Sequence, residues 1–76
     1  MKKNEFYVFY MNSRRGMLEL DILLSNFMKS KFFSLSNSEL DLFRSLLNES
    51  DDILYKWLIK TIDIPDKYLS LIKKIK

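Results

Sequence analysis

The sequence predicts an all-α fold, a compact five-helix bundle forming a single domain over residues 1–76, and three observations carry that expectation. Apolar residues recur at spacings of three and four in successive segments, the period of a helix that buries one stripe. Leu35-Ser36-Asn37-Ser38-Glu39-Leu40 combines a capping box with a hydrophobic staple, which together mark a helix start. The one stretch whose local propensity favours a strand, near the N-terminus, has no convincing later strand to pair with.

That first stretch, Asn4 to Arg14, holds Glu5, Phe6, Tyr7, Phe9, Tyr10 and Met11. Read as a helix it puts Phe6, Phe9 and Tyr10 on one face, as core material. From Met17 onward, Met17, Leu20, Leu24, Phe27 and Met28 form a stripe that Leu18, Ile22 and Leu23 widen. Such a helix is apolar around most of its circumference and belongs at the centre, with Glu19, Asp21, Ser25 and Asn26 on a narrow polar strip. Lys29 and Lys31 suit the negative end of its dipole. Phe32 and Phe33 in the connector are expected to pin it to the core.

After the capping box, Leu40, Phe43, Leu46 and Leu47 make the inner face of the third helix and Asp41, Arg44 and Ser45 its outer one. Ser50 is a good N-cap for a fourth, with Asp51 and Asp52 in its first turn and Ile53, Leu54, Trp57 and Leu58 inward. Ile64-Pro65-Asp66 is expected to end that helix and begin the fifth, with proline at the first helical position. Tyr68, Leu69, Ile72 and Ile75 then form the last apolar stripe. No internal repeat, low-complexity run or linker divides the chain.

Composition bounds the function. A chain of 76 residues hides only about 60% of its unfolded surface, and typical per-residue values give it roughly 4 to 11 kcal/mol of stability. It has no cysteine and no histidine, which removes disulfides, thiolate nucleophiles, the commonest metal ligand and the usual general base near neutral pH. No run of about 20 apolar residues suggests a membrane span, and Lys2-Lys3 is followed by a mixed segment rather than a signal-peptide core. A cytoplasmic protein is expected. The net charge of +3 rests largely on Lys67, Lys73, Lys74 and Lys76, read as a solvated face rather than a nucleic-acid site. The Asp51-Asp52 pair is read as helix capping and Trp57 as a core anchor.

One stretch stands apart. Arg14-Arg15-Gly16-Met17-Leu18-Glu19-Leu20-Asp21 joins the only glycine to two arginines and two carboxylates. Glycine frees the backbone between two helices and leaves no side chain to hold off a partner. An Arg15–Glu19 ion pair on a continuous helix would contribute only about 0.2 to 0.5 kcal/mol, too little to explain both residues. The candidate partner-binding residues are Arg14, Arg15, Gly16, Glu19 and Asp21, with Tyr10 and Met11 bordering them.

This stretch, followed by Leu35-Ser36, Glu39, Phe43, Leu46-Leu47, Asp51 or Asp52, and Trp57-Leu58, resembles the succinate dehydrogenase flavinylation factor family (SdhE) from about Tyr7 to the end of the chain. The resemblance implies a small five-helix bundle that binds the flavoprotein subunit of succinate dehydrogenase or fumarate reductase. It implies promotion of covalent FAD attachment to a histidine of that subunit, with no cofactor held stably by the chain itself. The family's Arg-Gly-x-x-Glu signature falls on Arg15, Gly16 and Glu19 and implies a partner-contacting surface. Leu18 departs from the charged or polar residue common in relatives. The expected protein is therefore a monomeric assembly chaperone and not an enzyme. The alternative is a regulatory protein-binding module of the antitoxin type, the CptB label under which the family has also been known.

Overall fold

Ser36 and Glu39 exchange hydrogen bonds as a capping box requires: the Glu39 N–H donates to Ser36 Oγ at 3.2 Å and the Ser36 N–H donates to Glu39 Oε1 at 2.9 Å. They open α3 (Asn37–Leu47), one of five helices in a computed structural model that describes residues 3–76. The others are α1 (Lys3–Asn12), α2 (Leu18–Ser30), α4 (Asp51–Leu58) and α5 (Asp66–Ile75), with a short 3₁₀ turn at Phe32–Ser34. Met1 and Lys2, and with them the reading of Lys2-Lys3, lie outside the described residues. Among those described, no strand forms and no helix is long and apolar enough to cross a membrane.

The first stretch is a helix, and Phe9 is its buried anchor, with Phe6 and Tyr10 half-buried beside it. Phe9 stacks on Phe43 at 5.4 Å between ring centroids, and Phe27 meets Phe43 edge-on at 5.2 Å. Three helices therefore share one aromatic contact, each pair adding about 0.5–1.5 kcal/mol beyond area burial. Phe32 closes the cluster against Phe9 at 5.2 Å. Phe33 pins the connector less firmly: it is exposed, although its ring stacks on Phe6 at 5.4 Å. At the other end Trp57 packs on Tyr68 at 5.4 Å, which confirms Trp57 as core.

α2 is central, touching α1, α4 and α5, while α3 packs along α5. The Lys74 ammonium donates to Glu39 Oε2, tying α5 to the first turn of α3. Lys31 donates to the Lys74 carbonyl at 3.2 Å and so satisfies an acceptor in the last turn of α5. Lys76 reaches Thr61. The C-terminal lysines are thus partly structural rather than a wholly solvated face.

Four expectations change. α4 stops at Leu58, well before Pro65, because Thr61 and Asp63 adopt left-handed backbone (φ 58° and 54°). Lys56 holds the resulting loop through a 3.0 Å ion pair with Asp63. Pro65 itself is the N-cap of α5 with extended backbone (φ −60°, ψ 142°), not its first helical residue. On α5 the buried stripe is Tyr68, Leu71, Ile72 and Ile75, and Leu69 faces solvent. On α2 only Leu20, Leu24, Phe27 and Met28 are buried, whereas Leu18 and Ile22 point outward at 74% and 53% exposure.

Candidate functional site at the arginine-glycine bend

α1 ends when the Ser13 N–H donates to the Phe9 carbonyl at 2.9 Å and the buried Ser13 hydroxyl donates to the Tyr10 carbonyl at 2.7 Å. The chain then bends through Arg14, Arg15 and Gly16 before Met17, in extended backbone, opens α2. Gly16 has φ +81°, a conformation that L side chains rarely adopt. A Cβ built there meets nothing within 4 Å, so conformation and not crowding demands the glycine. The position is open to an incoming molecule.

Asp21 stabilises the bend from inside α2. Its carboxylate accepts the Arg15 N–H at 2.6 Å and the Gly16 N–H at 3.2 Å, one oxygen for each. Two successive amides converging on one anion make a small nest, and Asp21 fills it intramolecularly.

Arg15 turns inward. Its side chain is 16% exposed, its Nη2 donates to the Leu47 carbonyl at the end of α3, and its Nη1 lies 3.8 Å from Asp51 Oδ1 at the start of α4. Leu47 carries one of the four carbonyls that a helix end leaves unpaired, so a cation is favoured there twice, by hydrogen bonding and by the dipole. Arg15 Nε is buried without an acceptor. The guanidinium therefore bridges the α1–α2 bend to the α3–α4 corner.

The remaining candidates face outward. Arg14 and Glu19 are exposed; Arg14 forms no ion pair among the described residues, and Glu19 accepts a 3.4 Å hydrogen bond from the Tyr55 hydroxyl. The Arg15–Glu19 pair considered from the sequence does not form: Arg15 goes to Asp51 instead. Met11 is 68% exposed and Tyr10 half-buried. Tyr10, Arg14, Leu18, Asp21 and Ile22 line one shallow groove between α1 and α2, of about 330 Å³. On the other flank, Met17, Tyr55 and Ile62 line a second depression with Asp52, Lys56 and Lys60.

The family model described as flavinator of succinate dehydrogenase matches residues 8–76, the whole of this bend and everything after it. The chain belongs to that family. It is 44% identical over 73 residues to the FAD assembly factor SdhE of Wigglesworthia glossinidia brevipalpis, an alignment covering 96% of this chain and 86% of that protein. It is 54% identical over 46 residues to the SdhE of Coxiella burnetii, covering 60% of this chain and 56% of that protein. Similarity extends to a mitochondrial succinate dehydrogenase assembly factor 2, from Meyerozyma guilliermondii, at 44% over 62 residues, where the match spans 78% of this chain and 46% of that protein. No solved structure matches. The chain thus spans about half the length of some of its curated relatives and most of another.

The structure brings Tyr10, Arg14 and Asp21 together along one groove, turns Glu19 toward Tyr55 of α4, and gives Arg15 and Asp21 internal bonds that spacing alone did not reveal. Sequence reasoning missed Leu18 and Ile22 as surface residues because they extend the core stripe of α2 in phase. The available signal was the excess width of that stripe: a helix with more apolar face than its neighbours can cover leaves part of it outside. Asp51 was read as capping, and Arg15 adds a second task.

Proposed function

We propose that this chain is a cytoplasmic FAD assembly factor that binds, as a monomer, the apo flavoprotein subunit of succinate dehydrogenase or fumarate reductase and promotes covalent attachment of FAD to a histidine of that subunit. The observation that carries this reading is the family match across residues 8–76. The names of the relatives, FAD assembly factor and succinate dehydrogenase assembly factor, support it.

Physical chemistry supports the same division of labour. Covalent flavin attachment needs the partner's histidine and the flavin held together in reacting geometry. A chain with no histidine or cysteine of its own contributes by binding the subunit conformation in which the two meet. In this reading Gly16 lets the partner's backbone approach the bend, and Arg14 and Glu19 pair with its charged groups. Tyr10, Met11, Leu18 and Ile22 supply apolar contact beside them. Arg15 and Asp21 hold the bend in shape.

The test is in-gel fluorescence of covalent flavin on the subunit, produced with wild-type chain, Gly16→Arg or Glu19→Ala. Both variants are expected to keep their helical circular dichroism and lose stimulation of flavin attachment. Undiminished flavin with both would refute the assignment.

A further inference from the structure

We propose that Arg15 and Asp51 act on the partner only through the bend: the pair is a positioning brace whose removal weakens docking of the flavoprotein subunit although neither side chain touches it. The inference rests on the reading above and deepens it, adding Asp51 to the residues on which docking depends.

Four observations converge. Arg15 is more buried than its neighbours in the bend and already binds the Leu47 carbonyl, so its guanidinium is committed to the chain's own α3–α4 corner. Asp51 Oδ1 is 3.8 Å from Arg15 Nη1, and the Asp51 side chain, 40% exposed, is the carboxylate of the described ion pairs that faces it. Arg15 Nε has no acceptor and no solvent, so withdrawing the guanidinium toward a partner would break its existing bonds before making new ones. Immediately next along the chain, Gly16 is held at φ +81° with both its own N–H and that of Arg15 on Asp21. The backbone of Arg15 is therefore anchored to α2 and its side chain to α3 and α4. Those two anchors fix where Arg14, Gly16 and Glu19 stand relative to one another, and preorganisation of a docking surface raises affinity by lowering the ordering cost of binding.

A direct contact and a brace differ in their coupling. Residues acting as one unit give non-additive effects, and independent contacts give additive ones. The experiment measures the affinity of the purified apo flavoprotein subunit for wild-type chain, Arg15→Gln, Asp51→Asn and the double variant, and for Arg14→Gln, the contact the brace positions, alone and combined with each single variant. Helical circular dichroism is recorded for each at the assay temperature, and amide exchange is followed at Arg15 and Gly16. The brace predicts that each single variant weakens binding by roughly tenfold or more, about 1.4 kcal/mol per decade, and that the double variant is no worse than the weaker-binding single one. It also predicts faster exchange at Gly16 with core amides unchanged, and an Arg14→Gln effect that shrinks in either brace variant, because the contact it removes is already misplaced there.

Binding by Asp51→Asn at wild-type affinity, or additive losses from Arg15→Gln and Asp51→Asn, would overturn the brace while leaving the assembly-factor reading standing. Loss of helical signal in either single variant would also overturn it, by making the pair part of the fold rather than of the bend. A wild-type chain that fails to bind the apo subunit removes the assembly-factor reading itself, and the brace with it.

Discussion

Gly16 shows how one residue can be required by the backbone and still serve a surface. Its φ of +81° costs any L residue roughly 1–2 kcal/mol, and the space beyond its missing Cβ is empty. Gly16→Ala is therefore expected to lower the melting temperature by about 4–8 °C per kcal/mol lost, without clash, and thermal unfolding followed by circular dichroism measures it. A drop far larger than that would mean the bend carries more of the fold than its open surroundings imply. The conformational role of this glycine was legible in the sequence, since the chain has no other and two helical patterns meet there. The inward turn of Arg15 was not, because Leu47 and Asp51 approach it from 32 and 36 positions away, and nothing local to Arg15 marks either as its partner.

At the scale of elements, the α3–α5 contact carries a titratable lock. Glu39 accepts from the Lys74 ammonium and from the Ser36 N–H, and these two bonds, in that order, lower its pKa from 4.5 to about 2, against a smaller opposing effect of burial. A folded-state pKa below the unfolded one means the contribution is fully present above about pH 4.5. It is lost as pH falls from there through about 2. Urea unfolding at stepped pH should show this acid-side decline in the wild type, and Glu39→Gln should flatten it. Equal slopes for both would contradict the lock.

The same elements show what periodicity can and cannot carry. The capping box announced α3 because its signal is local: two side chains bond two amides three residues apart. The end of α4 was misplaced because Thr61 and Asp63 enter the left-handed region without a glycine to announce it, and Pro65 was the only visible stop. Leu69 and Leu71 are two apart on α5, so choosing between them needs the position of α3, which the α5 sequence does not hold. Leu18 and Ile22 posed the same difficulty on α2.

For the whole molecule, 76 residues leave little reserve. Phe9, Phe27 and Phe32 all pack on Phe43, so Phe43→Ala should cost about 3–5 kcal/mol, a large share of the roughly 4 to 11 kcal/mol that this length supports. Partial or complete loss of cooperative unfolding at 37 °C is the expected outcome, and calorimetry would register it. The bundle spends its apolar material on that cluster and on the Trp57–Tyr68 contact, and still exposes Met11, Leu18 and Ile22 near its one glycine bend. A small chain with a marginal core gains no stability by leaving large apolar side chains in water, and the proposed docking of a partner at the bend would cover these three.

The central claim is that the chain promotes a bond formed on another protein. Purified apo flavoprotein subunit, FAD and this chain, mixed and sampled over time, test it most directly through flavin fluorescence in a denaturing gel. Covalent flavin is expected to appear faster on the subunit when the chain is present, and none on the chain itself. Identical time courses with and without the chain, or flavin migrating with the chain, would contradict it.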